Sequence, residues 1–355
     1  MRILIVKLGS IGDLVHTLPA VAALRAAMPN AEISWVVERS SAEILRDNPL
    51  LDRLIEVDTR ALRRGLMSGE TLRAPRQQLR RLRASAFDIA LDFQGLVKSA
   101  SIARLSGARR IFGYTREGLR EPASSLLLSK RISVPRKTHV INKALQLVNG
   151  ALKVPVPTDP NTYSFPVAFT ASDITNAANA CVGTDRNYVI LNPAGGWPTK
   201  LWSPERFGNV ADHLWAEFGL YSLVSVGPGE DEIGNRVIQF SKYGKARLIQ
   251  VPLKAFYVLA KSAKLYVGGD TGPTHLAVAA GTPVVGLFGP TEWWRNGSPR
   301  LDDICVERND IDCRVDCHRR SCSKWICMDI DVERVMTAVR QRLKNASQRM
   351  LPVAV

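Results

Sequence analysis

Apolar residues fall in short bursts along this chain, and between the bursts they recur at helical spacing. Arg2–Lys7 is the first burst, Gly9-Ser-Ile-Gly-Asp13 a glycine-bearing turn, and Asp13–Met28 carries apolar side chains at the intervals that predict a helix. Glu32–Glu38, Arg53–Val57 and Phe87–Asp92 read as further short strands. The theme repeats later. Tyr188–Asn192, Tyr221–Val226, Lys264–Val267 and Thr282–Phe288 are the predicted strands, with helical stretches at Ser203–Phe218, Glu230–Phe240, Leu253–Ser262 and His275–Ala280 between them. Strands alternating with helices predict an α/β protein with parallel sheets. The proline-rich segment Val154–Pro166 reads as a linker, so the expected organisation is two Rossmann-like domains, 1–160 and 161–330, and a helical tail, 331–355.

The length, 355 residues, suits two domains, and 46% hydrophobic residues exclude a disordered or collagen-like chain. No run approaches the ~20 apolar residues that span a bilayer, and the apolar start is too short for a signal peptide. A cytoplasmic protein with reduced thiols is therefore expected. The net charge of +15 sharpens the picture because it is uneven: residues 1–165 hold 26 Lys/Arg against 14 Asp/Glu, or +12, leaving +3 for the rest. Arg outnumbers Lys 34 to 14, which suits bidentate contacts with phosphate or carboxylate, although genomic base composition alone also raises Arg. The anionic partner is a nucleic acid, a membrane surface or a phosphorylated glycolipid. No helix-turn-helix, zinc-finger or RNA-binding aromatic signature accompanies the basic residues, which argues against nucleic acid.

Three loops could carry chemistry, since ligands of such sheets bind outside the carboxyl ends of the strands. Lys7-Leu-Gly-Ser-Ile-Gly-Asp-Leu-Val-His16 follows the first strand; its glycines allow close approach of a ligand, and Asp13 either caps the helix or faces that ligand. Asn192-Pro-Ala-Gly-Gly-Trp-Pro-Thr-Lys200 offers one point charge for a phosphate, ahead of a helix start at Ser203-Pro204. In Gly268-Gly-Asp-Thr-Gly-Pro-Thr-His275 a strand runs into a helix whose first amides, near Thr271 and Gly272, suit an anion.

Taken in order with Phe87-Asp-Ile-Ala-Leu-Asp-Phe-Gln-Gly-Leu-Val-Lys-Ser-Ala100, these loops resemble the bacterial ADP-heptose:lipopolysaccharide heptosyltransferases from residue 1 to about residue 337. The Asp-Phe-Gln-Gly-Leu-Val-Lys-Ser stretch and Arg120-Glu-Pro-Ala-Ser124 are most similar to the heptosyltransferase I branch. The resemblance implies two Rossmann-like domains facing each other in the glycosyltransferase-B arrangement, with the acceptor on the N-terminal domain and ADP-heptose on the C-terminal one. It implies inverting transfer from ADP-L-glycero-D-manno-heptose to the Kdo region of lipid A at the inner face of the cytoplasmic membrane, with no cofactor required. It makes Asp13 the general base, places Gly9 and Ser10 at the sugar, and gives Lys200, Thr271 and Gly272 the diphosphate. Asp270 and His275 fall in the same motif, and Glu230 or Glu232 is a candidate for the ribose. Two other readings stay open: a related enzyme with another acceptor, such as a second heptose or a protein hydroxyl, and a nucleotide-sugar-binding protein without turnover.

Residues 60–83 hold eight arginines and one acid, and the resemblance gives Arg60, Arg63, Arg64 and Arg120 to the phosphates and carboxylates of the acceptor. A solvated helix face is the plainer account of the run. Asp310-Ile-Asp312 and Asp329-Ile-Asp331 have the look of a metal motif but lie beyond the Rossmann units, and read as surface turns. Cys313, Cys317, Cys322 and Cys327 crowd into 15 residues, which leaves a structural zinc or iron site, free thiols or disulfides open; the spacing lacks a CxxC knuckle. Cys181 and Cys305 read as core thiols. His16 is either near the site or packed, and His139 and His318 have no partner legible in the sequence.

Overall fold

The computed structural model describes residues 1–59, 80, 82–315 and 317–350, with side chains through residue 346. The chain divides into two compact units, Met1–Ala168 and Phe169–Val355. In the first, β1 (Arg2–Val6), β2 (Glu32–Glu38), β3 (Arg53–Val57), β4 (Ile89–Asp92), β5 (Arg110–Tyr114) and β6 (Lys130–Ile132) form one sheet in the order β3-β2-β1-β4-β5-β6. Among its described residues the helices α1 (Ile11–Ala27), α2 (Val97–Leu105) and α3 (Val140–Leu152) flank the sheet.

The second unit repeats the plan. β7 (Tyr188–Asn192), β8 (Tyr221–Ser225), β9 (Ala246–Ile249), β10 (Leu265–Gly269), β11 (Val284–Phe288) and β12 (Ile304–Glu307) run in the order β9-β8-β7-β10-β11-β12. Its helices are α4 (Ala171–Ala180), α5 (Pro204–Phe218), α6 (Asp231–Phe240), α7 (Leu253–Ser262), α8 (Gly272–Ala280), α9 (Trp293–Asn296) and α10 (Val332–Met350). Every pairing is parallel: Ile5 lies between Trp35 and Leu91, and Gly268 between Asn192 and Gly286.

Central strands of such sheets are covered on both faces, which is why Ile3–Val6 and Tyr188–Leu191 are apolar without alternation and almost wholly buried. In each unit the order reverses beside the first strand, between β1 and β4 and between β7 and β10. Loops at that switch point diverge and leave a crevice for ligands. All three glycine-bearing loops singled out in the sequence leave these strands.

Two expectations are refined. The Val154–Pro166 segment is strapped to the first unit: Asn149 Nδ2 donates to the Val154 carbonyl at 3.0 Å, Tyr163 OH to Asn142 Oδ1 at 2.5 Å, and Asn48 Nδ2 to the Pro166 carbonyl at 2.7 Å. The tail is likewise part of a core, since Val335, Met336 and Val339 of α10 are fully buried among the side chains of the second unit. Among the described residues no helix is long and apolar enough to cross a membrane.

Candidate active site

At the first switch point the chain turns out of β1 at Lys7. The Lys7 side chain is 11% exposed, and its Nζ lies 3.0 Å from Asp13 Oδ1 while donating to the Phe93 carbonyl at 3.4 Å. The Lys7 carbonyl accepts the Trp35 indole N–H at 2.9 Å. Asp13, in the first turn of α1, accepts the Ser10 amide on Oδ2 at 3.1 Å. Capping and availability are therefore combined in Asp13: each oxygen has one partner, yet the side chain is 40% exposed. Gly9 has φ +149°, and a Cβ there would meet Ser41 Oγ at 3.0 Å, so the loop needs glycine for conformation and for room.

The loop after β4 braces the loop after β1. Gln94 Oε1 accepts the Leu8 amide at 3.1 Å, and Asp92 Oδ1 accepts the amides of Gln94 and Gly95 at 3.0 and 3.2 Å. Glu121 donates its amide to the Gly95 carbonyl at 3.3 Å and accepts the Val97 amide at 2.7 Å, which sets the exposed Arg120 beside this loop. Lys98 Nζ lies 2.9 Å from Glu38 Oε1 and 2.9 Å from Thr59 Oγ1, immediately before the arginine run. Arg60, Arg63 and Arg64 lie outside the described residues.

Asp92 is fully buried, and burial pushes its carboxyl up to about 6 against the lowering pull of Ser99, the Gly95 and Gln94 amides and Lys7. A folded pKa above the unfolded value means that stability present at low pH is lost as pH rises from about 4 to about 6. Two units correspond to about 3 kcal/mol. Asp92→Asn is therefore expected to melt at a higher temperature than wild type at pH 8, with the gap closing toward pH 4.5. Thermal melts across that range test it, and a gap constant with pH refutes it.

The second switch point collects a denser set. Lys200 Nζ lies 2.5 Å from Asp270 Oδ2, donates to the Asp270 carbonyl at 3.1 Å, and sits 4.3 Å from the centre of the Trp197 ring. Asp270 Oδ1 accepts from Asn296 Nδ2 at 2.5 Å and lies 3.3 Å from His275 Nε2. Burial raises the Asp270 carboxyl, but His275 and Lys200 outweigh it and hold the group well below the usual carboxylate range. Asp270 thus stays ionised and anchors Lys200 beside the start of α8. Thr271 precedes that helix and donates its hydroxyl to Asn192 Oδ1 at 3.3 Å, while Asn192 donates to the Ser225 carbonyl at 2.8 Å. The first amides of a helix, here from Gly272 onward, have no carbonyl of their own helix to bond and present partial positive charge to an anion.

Beside the Lys200 loop, a cavity of about 630 Å³ is lined by Leu201, Trp202, Ile233 and Trp325 together with Glu230 and Glu232. Glu230 folds back to accept the Gly227 amide at 2.7 Å; Glu232 stands in the first turn of α6. The loop itself is braced from far along the chain. Thr199 donates to the Arg319 carbonyl at 2.7 Å, and Trp325 Nε1 donates to the Thr199 carbonyl at 3.0 Å.

Of the four clustered cysteines, Cys313 and Cys322 are exposed, Cys317 is half-buried and Cys327 is buried. Burial pushes the Cys327 thiol up, and the other three cysteines add to it. Among the described residues no three His, Cys, Asp or Glu side chains are placed to hold a metal ion. Asp310 pairs with Arg308 and Asp329 with Arg206, each at 2.6 Å, and Asp331 accepts the Arg334 amide at 2.8 Å, so these acids serve turns and a helix start. Cys181 and Cys305 are half-buried rather than core, at a helix end and on an edge strand. His16 is buried, 6.0 Å edge-on from the ring of His139, whose Nδ1 accepts the Ile141 amide at 3.3 Å. His318 Nε2 lies 3.4 Å from Arg295 Nη1.

Lys7, Asp92, Asn192 and Asn296 were given no role from sequence. Lys7 and Asn192 bear one signal, since each flanks a glycine-bearing loop; the contact of Asn296 with Asp270 spans 26 residues and leaves no local trace.

The protein is a glycosyltransferase built of two Rossmann-like units, one with a half-exposed carboxylate and the other with a lysine beside a helix start. The model of glycosyltransferase family 9 (heptosyltransferase) matches residues 76–324, and the chain belongs to that family. Lipopolysaccharide heptosyltransferase 1 of Pseudomonas aeruginosa is 31% identical over 293 residues, covering 82% of this chain and 79% of the relative. Its Escherichia coli K12 counterpart is 29% identical over 294 residues, covering 82% and 89%. The solved E. coli heptosyltransferase WaaC with ADP shares the fold at a TM-score of 0.78, with 24% identity and coverage of 96% of this chain and 100% of that one.

Proposed function

We propose that the chain transfers heptose from ADP-L-glycero-D-manno-heptose to the Kdo region of lipid A. The observation that carries this reading is the Lys200–Asp270 pair beside the start of α8, fixed charge suited to a departing diphosphate. The names of the relatives, lipopolysaccharide heptosyltransferase 1, support the acceptor class. The second unit would take the nucleotide sugar, with the nucleoside in the cavity lined by Glu230 and Glu232, and the first unit the acceptor. Asp13 takes the proton of the acceptor hydroxyl as its oxygen bonds the anomeric carbon, while the bond from that carbon to the phosphate oxygen breaks. ADP leaves with the electron pair, its charge met by Lys200 and the amides of Thr271 and Gly272. A single displacement of this kind inverts the anomeric centre.

Incubation with ADP-heptose and lipopolysaccharide lacking all heptose tests the reading. ADP release with a singly heptosylated product supports it. Release only with an acceptor that already carries one heptose, or with a protein, moves the chain to another acceptor, and binding without release makes it a nucleotide-sugar-binding protein.

The basic first unit would meet the anionic inner face of the cytoplasmic membrane as a peripheral protein, and Arg60, Arg63, Arg64 and Arg120 would grip phosphates and Kdo carboxylates. Charge reversal at Arg60, Arg63 and Arg64 is expected to raise the acceptor KM about tenfold or more, at ~1 kcal/mol or more for charge-assisted contacts, and to spare ADP-heptose binding. Unchanged acceptor kinetics remove the assignment. A structural zinc or iron at Cys313, Cys317, Cys322 and Cys327 is a separate proposal that rests on their crowding into 15 residues of sequence alone. Elemental analysis of protein purified without a histidine tag would show one metal per chain, and metal-free active protein rejects it.

A further inference from the structure

We propose that Lys7 is the positioning residue of the base, its ammonium tying one oxygen of Asp13 to the Phe93 carbonyl on the loop after β4. The inference rests on Asp13 being the base. A carboxylate that collects a proton from an incoming hydroxyl must present one lone pair toward the acceptor, and a half-exposed aspartate on the first turn of a helix has rotamers to choose from. Here the choice is removed. Oδ1 is held by Lys7 at 3.0 Å and Oδ2 by the Ser10 amide at 3.1 Å, while the side chain remains 40% exposed.

Lys7 is itself held. Its side chain is 11% exposed and its carbonyl is pinned by Trp35. The Phe93 carbonyl, its second acceptor, belongs to a loop folded over the buried Asp92, whose carboxylate takes the amides of Gln94 and Gly95. Gln94 then clasps the Leu8 amide next to Lys7. Lys7 thus joins the half-exposed Asp13 to the backbone of the loop that Asp92 holds. Lys7 adds no bond to the reacting atoms; it holds the base in orientation.

Lys7→Met keeps the buried stem and removes the charge. The expected result is a kcat lower by 10- to 100-fold, with ADP-heptose affinity and acceptor KM unchanged, measured well below the melting temperature of the variant. Lys7→Arg recovers most of the turnover. A merely structural lysine would lower the melting temperature and leave kcat of the folded variant in place. Wild-type kcat in Lys7→Met overturns the proposal. Should that variant fail to fold, Gln94→Leu decides: releasing the clasp on Leu8 is expected to lower kcat three- to tenfold, and wild-type turnover there overturns it. Failure of the base reading is distinguishable, for it shows as turnover in Asp13→Asn whatever Lys7 does.

Discussion

Asp13→Asn is expected to lower kcat by roughly 10²–10⁴-fold, the range for loss of a general base, with ADP-heptose affinity within about twofold of wild type. Asparagine can still accept the Ser10 amide, so the helix start is preserved and the loss reads chemistry rather than folding. Donor affinity is spared because the groups proposed for the nucleotide sugar belong to the other unit. Single-turnover rates with saturating acceptor, beside calorimetric binding of ADP, separate the two quantities. Turnover near wild type removes Asp13 from the role of base.

Lys200→Met is expected to have a comparable effect on kcat, about 10²–10³-fold, since it removes fixed positive charge from the place proposed for the departing diphosphate. It carries a second consequence that Asp13→Asn lacks. Asp270 is buried with a side-chain exposure of 7%, and losing one of its cations leaves a poorly compensated charge. Asn296 and His275 still bond its other oxygen, so the penalty falls short of the ~3–5 kcal/mol for a fully orphaned buried ion. Lys200→Met should therefore melt early, whereas Lys200→Met combined with Asp270→Asn should regain much of the melting temperature without regaining turnover. Recovery of turnover in the double variant would show that Lys200 acts only as a counterion.

The central strands were legible because parallel sheets bury both faces: β2 and β7 coincide with the apolar runs, residue for residue, as does the less buried edge strand β3. Strands β5, β6, β9 and β12 were not. Each has three to five residues, and β6, read Lys-Arg-Ile, shows no period to detect. The helices Val97–Leu105, Val140–Leu152 and Ala171–Ala180 likewise carry no clear signal in the sequence, whereas Val332–Met350 falls within the expected helical tail. Within the site, the loops announced themselves by glycine and proline, and Lys200 and Asp270 stood out in them. Their mutual contact, 70 residues apart, follows only from two loops leaving adjacent strands β7 and β10. Asp92 reads in sequence as the polar end of an apolar strand, and its burial is visible only once β5 and the loop after β4 are in place.

The brace on Lys200 bears on the order in which a newly made chain acquires its parts. The loop that holds Lys200 is synthesised early in the second unit, yet the groups that fasten it, the Arg319 carbonyl and the Trp325 indole, come 120 and 126 residues later. A ribosome that has made the strands through β11 has supplied Lys200 and Asp270, but neither Asn296 nor this clamp. The first unit is thus complete on the ribosome well before the Lys200 loop acquires its brace.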